Sequence, residues 1–289
     1  MRPTLVAAPG AFVTDAEFWY RPLSEQLERH GIPIRPVDLP SCGYEPPLGD
    51  LFDDAEAMGK AVDEIDGPVI LAGHSYSALV ATQAAKGRKD KVRHLLFISG
   101  VVGDKCIMES DYVVPGEAPE TQVEIRVGGR RVPLPKFLLS NAKTGGEGLS
   151  ARAVFVIGRR VFGLGPVDGI LGEGAGSAAF KSNELRRLEN KELIDDGLKR
   201  VTKQSLMTFL QAPEYLAYKE IPSTYILGLN DGEVPRPQLE AQASRCTNVI
   251  RVPTNHFCHL DRPELVADAV VNIAREISGA DRPAESIAG

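Results

Sequence analysis

Cysteine is scarce and scattered in this 289-residue chain. Cys42, Cys106, Cys246 and Cys258 fall in separate segments with no C-x-x-C pair. That distribution argues against a disulfide framework or a zinc site and makes a reducing, cytoplasmic compartment the expected location. Long apolar runs are missing as well: none approaches the roughly 18 residues that span a bilayer, so no membrane is expected as a partner. The first strand is expected to begin at Pro3, which leaves no room for a signal peptide. Nor is there a basic excess. The net charge is −6, and the patches Arg126/Arg130/Arg131 and Arg159/Arg160 are too short to argue for nucleic acid. With 43 % hydrophobic and 25 % charged residues, the composition fits a soluble globular protein with one large core plus an insertion.

The most informative segment is Gly73-His74-Ser75-Tyr76-Ser77. It follows the apolar run Pro68 to Ala72 and precedes the small-residue stretch Ala78 to Thr82. Strand, sharp turn and helix in that order lift a serine Oγ above a sheet and aim it at the positive end of a helix. Small residues two positions to either side let the backbones approach. Ser77 stands where the G-x-S-x-G pattern has its last glycine, so the position stays small but must accept an unstrained φ/ψ.

A nucleophilic serine needs a base, and the chain holds five histidines. His30 ends an amphipathic helix and His94 starts a strand, so both read as structural. His74 is the variable position of the elbow and is expected to point away from the chemistry. His256 and His259 lie in a loop between a strand at Asn248 to Val252 and a helix opening at Pro263, whose fixed φ suits a first helical turn. That loop sits at a strand's carboxyl end, the edge where open α/β sheets hold ligands, which makes His256 the candidate base.

A third group must orient the imidazole. Asp231 follows the β-rich run Ser223 to Leu229 and is the first choice, although Asp before Gly is also a common turn residue. Asp104, just after the strand from Arg93 to Ser99, is the rival. Asp38, after an earlier strand, is a weaker one.

The order Ser75, Asp231, His256 resembles that of the α/β-hydrolase fold. Within it the chain is similar to the branch of methyl salicylate esterases and plant hydroxynitrile lyases. The shared motifs are an N-terminal strand into a Gly-Ala turn, the Leu39-Pro40-Ser41-Cys42-Gly43 loop, the elbow, and a histidine seven residues before Pro263. The resemblance implies an oxyanion hole from the backbone amides of Ala11 and Tyr76, with Phe12 as the fallback if the register shifts by one. Pro9-Gly10 stands where the family usually has His-Gly.

Alternating strands and helices over 1–102 and 219–289 predict a core with a mostly parallel sheet wrapped by helices, which the resemblance implies is an α/β-hydrolase core. Thr14-Asp15-Ala16-Glu17 reads as a capping box for a helical region ending at Gly31, kinked or restarted at Pro22. Between 103 and 218 the alternation stops, and this stretch reads as an inserted cap. Val123 to Val132 with Gly128-Gly129 suggests a hairpin. Residues 151–162 and 183–210 look helical, the second broken at Gly197. The glycines from Gly163 to Gly176 read equally as a lid hinge or a loop. Gly174-Ala175-Gly176-Ser177-Ala178-Ala179 matches G-x-G-x-x-A but follows no βαβ strand near the N-terminus, so a dinucleotide is not expected.

These residues together predict acyl transfer on Ser75 without cofactor or metal. Phe12, Tyr76, Phe257, Phe137 and Phe155 are the candidate pocket wall, implying a small or medium hydrophobic ester, lactone or thioester, although core packing explains most of them as well. Cys42 and Cys258 read as pocket lining. A lyase, carbon–carbon hydrolase or cyclase using the same groups for proton transfer is the alternative, and a non-catalytic small-molecule receptor is a further one. Homodimerisation is left open.

Overall fold

The structure is a computed structural model that describes residues 2–44, 48–103, 122–127, 130–135, 170–171, 185–205, 208, 211–234 and 236–279. Its centre is a six-stranded parallel sheet. In chain order the strands are β1 (Thr4–Ala8), β2 (Ile34–Pro36), β4 (Val69–His74), β5 (Val92–Ile98), β10 (Ser223–Gly228) and β11 (Asn248–Val252). Across the sheet the order is β11-β10-β5-β4-β1-β2, every neighbouring pair parallel.

Both faces are buried, and the period-2 alternation divides each strand between them. Val6, Leu71, Leu95, Phe97, Tyr225 and Leu227 face one side, where α2 (Leu51–Asp63) and α3 (Ser77–Ala84) pack. Leu5, Ile70, Ala72, Leu96, Ile98 and Ile226 face the other, covered by α1 (Ala16–Glu28) and α7 (Pro263–Ser278). Each such side chain contributes on the order of 1.5–3 kcal/mol through burial, which is what fixes strand register here. Because all six strands run the same way, the loops after β1, β4, β10 and β11 emerge at one edge of the sheet.

The helix boundaries differ from the sequence reading in two ways. Asp15, not Thr14, caps α1: its carboxylate accepts the Phe18 amide at 3.3 Å, and Asp38 Oδ1 accepts the Ala16 amide at 2.9 Å. The helix then runs through Pro22 without restarting. Burial of Trp19, Tyr20, Leu23 and Leu27 on both sides of the proline outweighs the one missing backbone hydrogen bond. By contrast Asp50 and Asp53 form a true capping box on α2, each side chain accepting the other's backbone N–H.

Between β5 and β10 in the chain, β6 (Gln122–Val127) and β7 (Arg130–Pro135) pair antiparallel with Val127 opposite Arg130, the hairpin the glycine turn predicts. The helix predicted over 183–210 is a shorter one. α4 (Lys191–Leu198) stops soon after Gly197, and the chain becomes β9 (Lys203–Ser205). A non-local pairing overrides helical propensity there: β9 lies antiparallel between β3 (Cys42–Gly43) and β8 (Ile170–Leu171). Gly197 meets the Trp19 ring, where an added Cβ would lie 3.2 Å from Cη2. Residues 197–205 are thereby tied to α1 and to the loop after β2. Residues 151–162 and most of the Gly163 to Gly176 cluster lie outside the described residues. Among the described residues no helix is long and apolar enough to cross a membrane.

Candidate active site

Ser75 sits on the turn between β4 and α3 with φ 54°, a left-handed conformation that L-residues with a Cβ adopt only when the surroundings over-determine it. Its amide donates to Ile98 O at 3.0 Å, and its carbonyl accepts from Ala78 N and Val101 N. Gly73 makes the turn feasible, since a Cβ there would collide with Ser77 O. The strain falls on Ser75, not on Ser77. Ser77 stands at the start of α3 and uses its hydroxyl: Oγ accepts from His74 N at 2.8 Å and donates to Ala8 O at 2.6 Å. A serine in the last glycine position thus ties the elbow to the end of β1.

Asp231 and His256 are brought together from the ends of β10 and β11. His256 Nδ1–H donates to Asp231 Oδ2 at 2.7 Å, and both side chains are fully buried. The carboxylate is held by its own turn, Asp231 Oδ1 accepting the amides of Glu233 and Val234 at 2.9 Å each. Close approach of the two loops needs Gly228, where a Cβ would lie 2.6 Å from Asn255 O. Asp38 is engaged instead at the start of α1, remote in role from His256. Asp104 lies outside the described residues.

His74 corrects the expectation that it points away from the chemistry. Its ring lies 4.8 Å from that of His256 and 4.6 Å from that of His259, and Nε2 donates to His256 O at 3.1 Å. The residue before Ser75 therefore supports the loop that carries His256. Chain position alone could not reveal this, because the contact spans 182 residues.

The loop after β1 shows which amides are in use. Phe12, at φ 62°, donates its N–H to Gln204 Oε1 at 3.0 Å and accepts Thr202 N at 2.7 Å through its carbonyl. Its amide is thus turned toward β9. Ala11 N makes no hydrogen bond among the described residues. Gln204 also donates to Thr208 Oγ1 at 3.0 Å, so the β9 segment clamps this loop. Sequence reasoning missed Gln204, whose residue type carries no motif.

Of the five residues expected to wall a pocket, Phe12, Tyr76 and Phe257 are 0–2 % exposed and belong to the cores, and Phe137 and Phe155 lie outside the described residues. Tyr76 turns its ring inward, and its hydroxyl donates to Asp54 Oδ2 at 2.7 Å. Asp54 Oδ1 accepts the Ser41 amide at 2.7 Å, and burial raises the Asp54 carboxyl to about 6. Phe257 stacks on Trp19 with centroids 6.1 Å apart. Cys258 is likewise core: Thr254 Oγ1 donates to its sulfur at 3.0 Å, and burial pushes its thiol up to about 11. Cys42 is buried beside Ser41, with burial and the neighbouring Asp54 raising its thiol to about 12. Cys42, Cys246 and Cys258 are free thiols. Among the described residues no group of three or more His, Cys, Asp or Glu side chains is placed to hold a metal ion.

Comparison with known proteins bears on this edge-of-sheet arrangement. The chain is 25 % identical to the alpha/beta hydrolase nvfD of Aspergillus novofumigatus (strain IBT 16806) over 287 residues, 96 % of this chain and 98 % of nvfD. Among solved structures it is similar to a variant of the pyrethroid hydrolase PytH, with TM-score 0.65 at 18 % identity over 96 % of this chain and 100 % of the other. A second is an extracellular alpha/beta-hydrolase from a Paenibacillus species that shares structural and functional homology with tobacco salicylic acid binding protein 2. There the TM-score is 0.64 at 14 % identity over 93 % of this chain and 98 % of the other. Both structural likenesses are of fold. Residues 5–269, spanning β1 to the middle of α7, match the alpha/beta hydrolase family, and the chain belongs to it.

Proposed function

We propose that this protein is a serine hydrolase that cleaves a small or medium hydrophobic ester, lactone or thioester through an acyl-enzyme on Ser75. The observation that carries the reading is the 2.7 Å bond between the fully buried Asp231 and His256, in a loop held against the residue that precedes a strained Ser75. A carboxylate on Nδ1 fixes the tautomer that leaves Nε2 available as base and steadies the imidazolium that forms.

In this reading His256 takes the Ser75 proton as Oγ attacks the carbonyl carbon. The Ala11 and Tyr76 amides hold the developing oxyanion, the proton passes from His256 to the leaving group, and water then releases the acyl group by the same route. Tyr76 is well suited to a fixed amide because its side chain is anchored on Asp54. No step draws on a metal or cofactor. The names of the PytH and Paenibacillus neighbours, both hydrolases, agree with a hydrolytic reaction. The division into a core over 1–102 and 219–289 and a cap over 103–218 is part of the same proposal, with the cap selecting the substrate.

A panel of p-nitrophenyl esters of increasing acyl size tests the reading. Turnover that is lost by 10³-fold or more, in order of magnitude, in Ser75→Ala supports it. Turnover of a cyclic or carbon–carbon substrate that persists without any acyl-enzyme would replace it with proton-transfer chemistry on the same residues.

A further inference from the structure

The turn that carries Asp231 delivers a second carboxylate to the same imidazole. Asp231 Oδ1 gathers the amides of Glu233 and Val234, and this fold-back places Glu233 Oε2 3.3 Å from His256 Nε2. The Glu233 side chain is 7 % exposed and that of His256 is 0 % exposed. His256 therefore has a carboxylate facing each ring nitrogen, Asp231 on Nδ1 and Glu233 on Nε2. Nε2 is the nitrogen that must receive the Ser75 proton.

We propose that Glu233 is a positioning residue whose carboxylate, facing His256 Nε2 at ion-pair distance, favours the protonated imidazole in the resting enzyme and thereby sets the pH above which His256 can act as base toward Ser75. This rests on the serine-hydrolase reading. The proton balance is simple. Nδ1–H is donated to Asp231, and in the protonated imidazole Nε2 carries one further proton, with the Glu233 carboxylate as its charge partner. That proton must leave to solvent before Nε2 can accept the one from Ser75 Oγ, and no bond other than N–H and O–H changes. A carboxylate at this distance favours the protonated imidazole, so removing its charge releases Nε2 at lower pH.

The groups facing His256 come from three elements. Asp231 and Glu233 belong to the turn after β10, and His74 comes from β4 with its ring 4.8 Å away. His259 from α6 (Cys258–Asp261) is reached through His74 at 4.6 Å. Cys258, from the same element, stays a neutral thiol near neutral pH. His74 lies against the ring and bonds the His256 carbonyl, whereas Glu233 addresses Nε2.

The test is the second-order rate of Ser75 labelling by a fluorophosphonate probe between pH 5 and 9, in the full chain and in Glu233→Gln and Glu233→Ala. Both variants should move the acid limb down by about one pH unit, so that one unit below the wild-type midpoint labelling rises about fivefold, with the high-pH plateau little changed. An unmoved midpoint in folded variants, with or without a lowered plateau, would overturn the proposal. Should Glu233→Gln not fold, Glu233→Ala alone decides it, and Glu233→Asp, which withdraws the carboxylate by one methylene, should fall between. If Ser75 is unlabelled in the wild-type protein at every pH, the serine-hydrolase reading fails and this inference with it. A labelled Ser75 with an unmoved midpoint sinks only the role of Glu233.

Discussion

Ser77 and Ala8 are joined by a 2.6 Å hydrogen bond from the serine hydroxyl to the strand carbonyl, and the same hydroxyl accepts the His74 amide. One side chain thus couples the Ser75 turn to the strand that leads into the Ala11 loop. A glycine at this position, which the common elbow pattern would have, removes both bonds. Ser77→Gly should lower stability by about 1–3 kcal/mol, because a buried amide and carbonyl lose a partner. It should also slow Ser75 labelling more than tenfold, by loosening the elbow against the oxyanion amides. Thermal melts and probe kinetics on the same sample check both halves.

The Asp231–His256 bond predicts a large and specific loss. Asp231→Asn should reduce kcat by roughly 10³- to 10⁴-fold, since the amide cannot hold the required tautomer, with little change in melting temperature. Asp38→Asn should leave kcat within about twofold, because Asp38 only accepts the Ala16 amide at the start of α1, a contact that contributes on the order of 1 kcal/mol. Steady-state kinetics on one activated ester, with both variants in parallel, decides between them.

Asp54 makes the fold pH-dependent in a direction that can be worked out. Its carboxyl is raised from 3.8 to about 6, so the folded state binds a proton the unfolded chain has already released. Stability from this group is therefore present below about pH 4 and lost as pH rises through about 6. Asp54→Asn keeps an acceptor for the Ser41 amide without the charge. Relative to wild type, the variant should gain stability as pH is raised from 4 to 8. A melting-temperature difference that is flat or falling across that range would contradict the assignment.

His94 acts in the opposite sense. Burial lowers it to about 4, and its Nε2 lies 2.9 Å from Thr224 Oγ1. The unfolded chain binds a proton there that the folded one refuses, so stability falls as pH drops from about 6.5 toward 4. His94→Gln should flatten the acid side of the stability curve, as read by urea unfolding at pH 4.5 and pH 7.

Much of this site is legible in the chain because it is written locally. Ser75 lies in a strand-turn-helix segment of a few residues, and Asp231 and His256 each follow a short β-rich run. Parallel strands then carry all three to one sheet edge. The parts that escape are those decided by packing across long separations. Gln204 reaches Phe12 over 192 residues, and the 203–205 strand forms where Cys42–Gly43 and Ile170–Leu171 offer edges on either side of it. His74 looks like a free position in the elbow until the fold sets His256 against it. Glu233 reads as an ordinary turn residue, and only the fold-back around Asp231 Oδ1 turns it toward the imidazole. Tyr76 and Phe257 look like pocket aromatics by residue type, yet the core claims both rings.

The most direct test of the account is peptide mapping of the protein after reaction with a fluorophosphonate. The account predicts a single stoichiometric adduct on Ser75, slowed by at least about 10³-fold in His256→Ala and absent in Ser75→Ala. Stoichiometric labelling at another residue, or undiminished turnover of the best ester in Ser75→Ala, would contradict it.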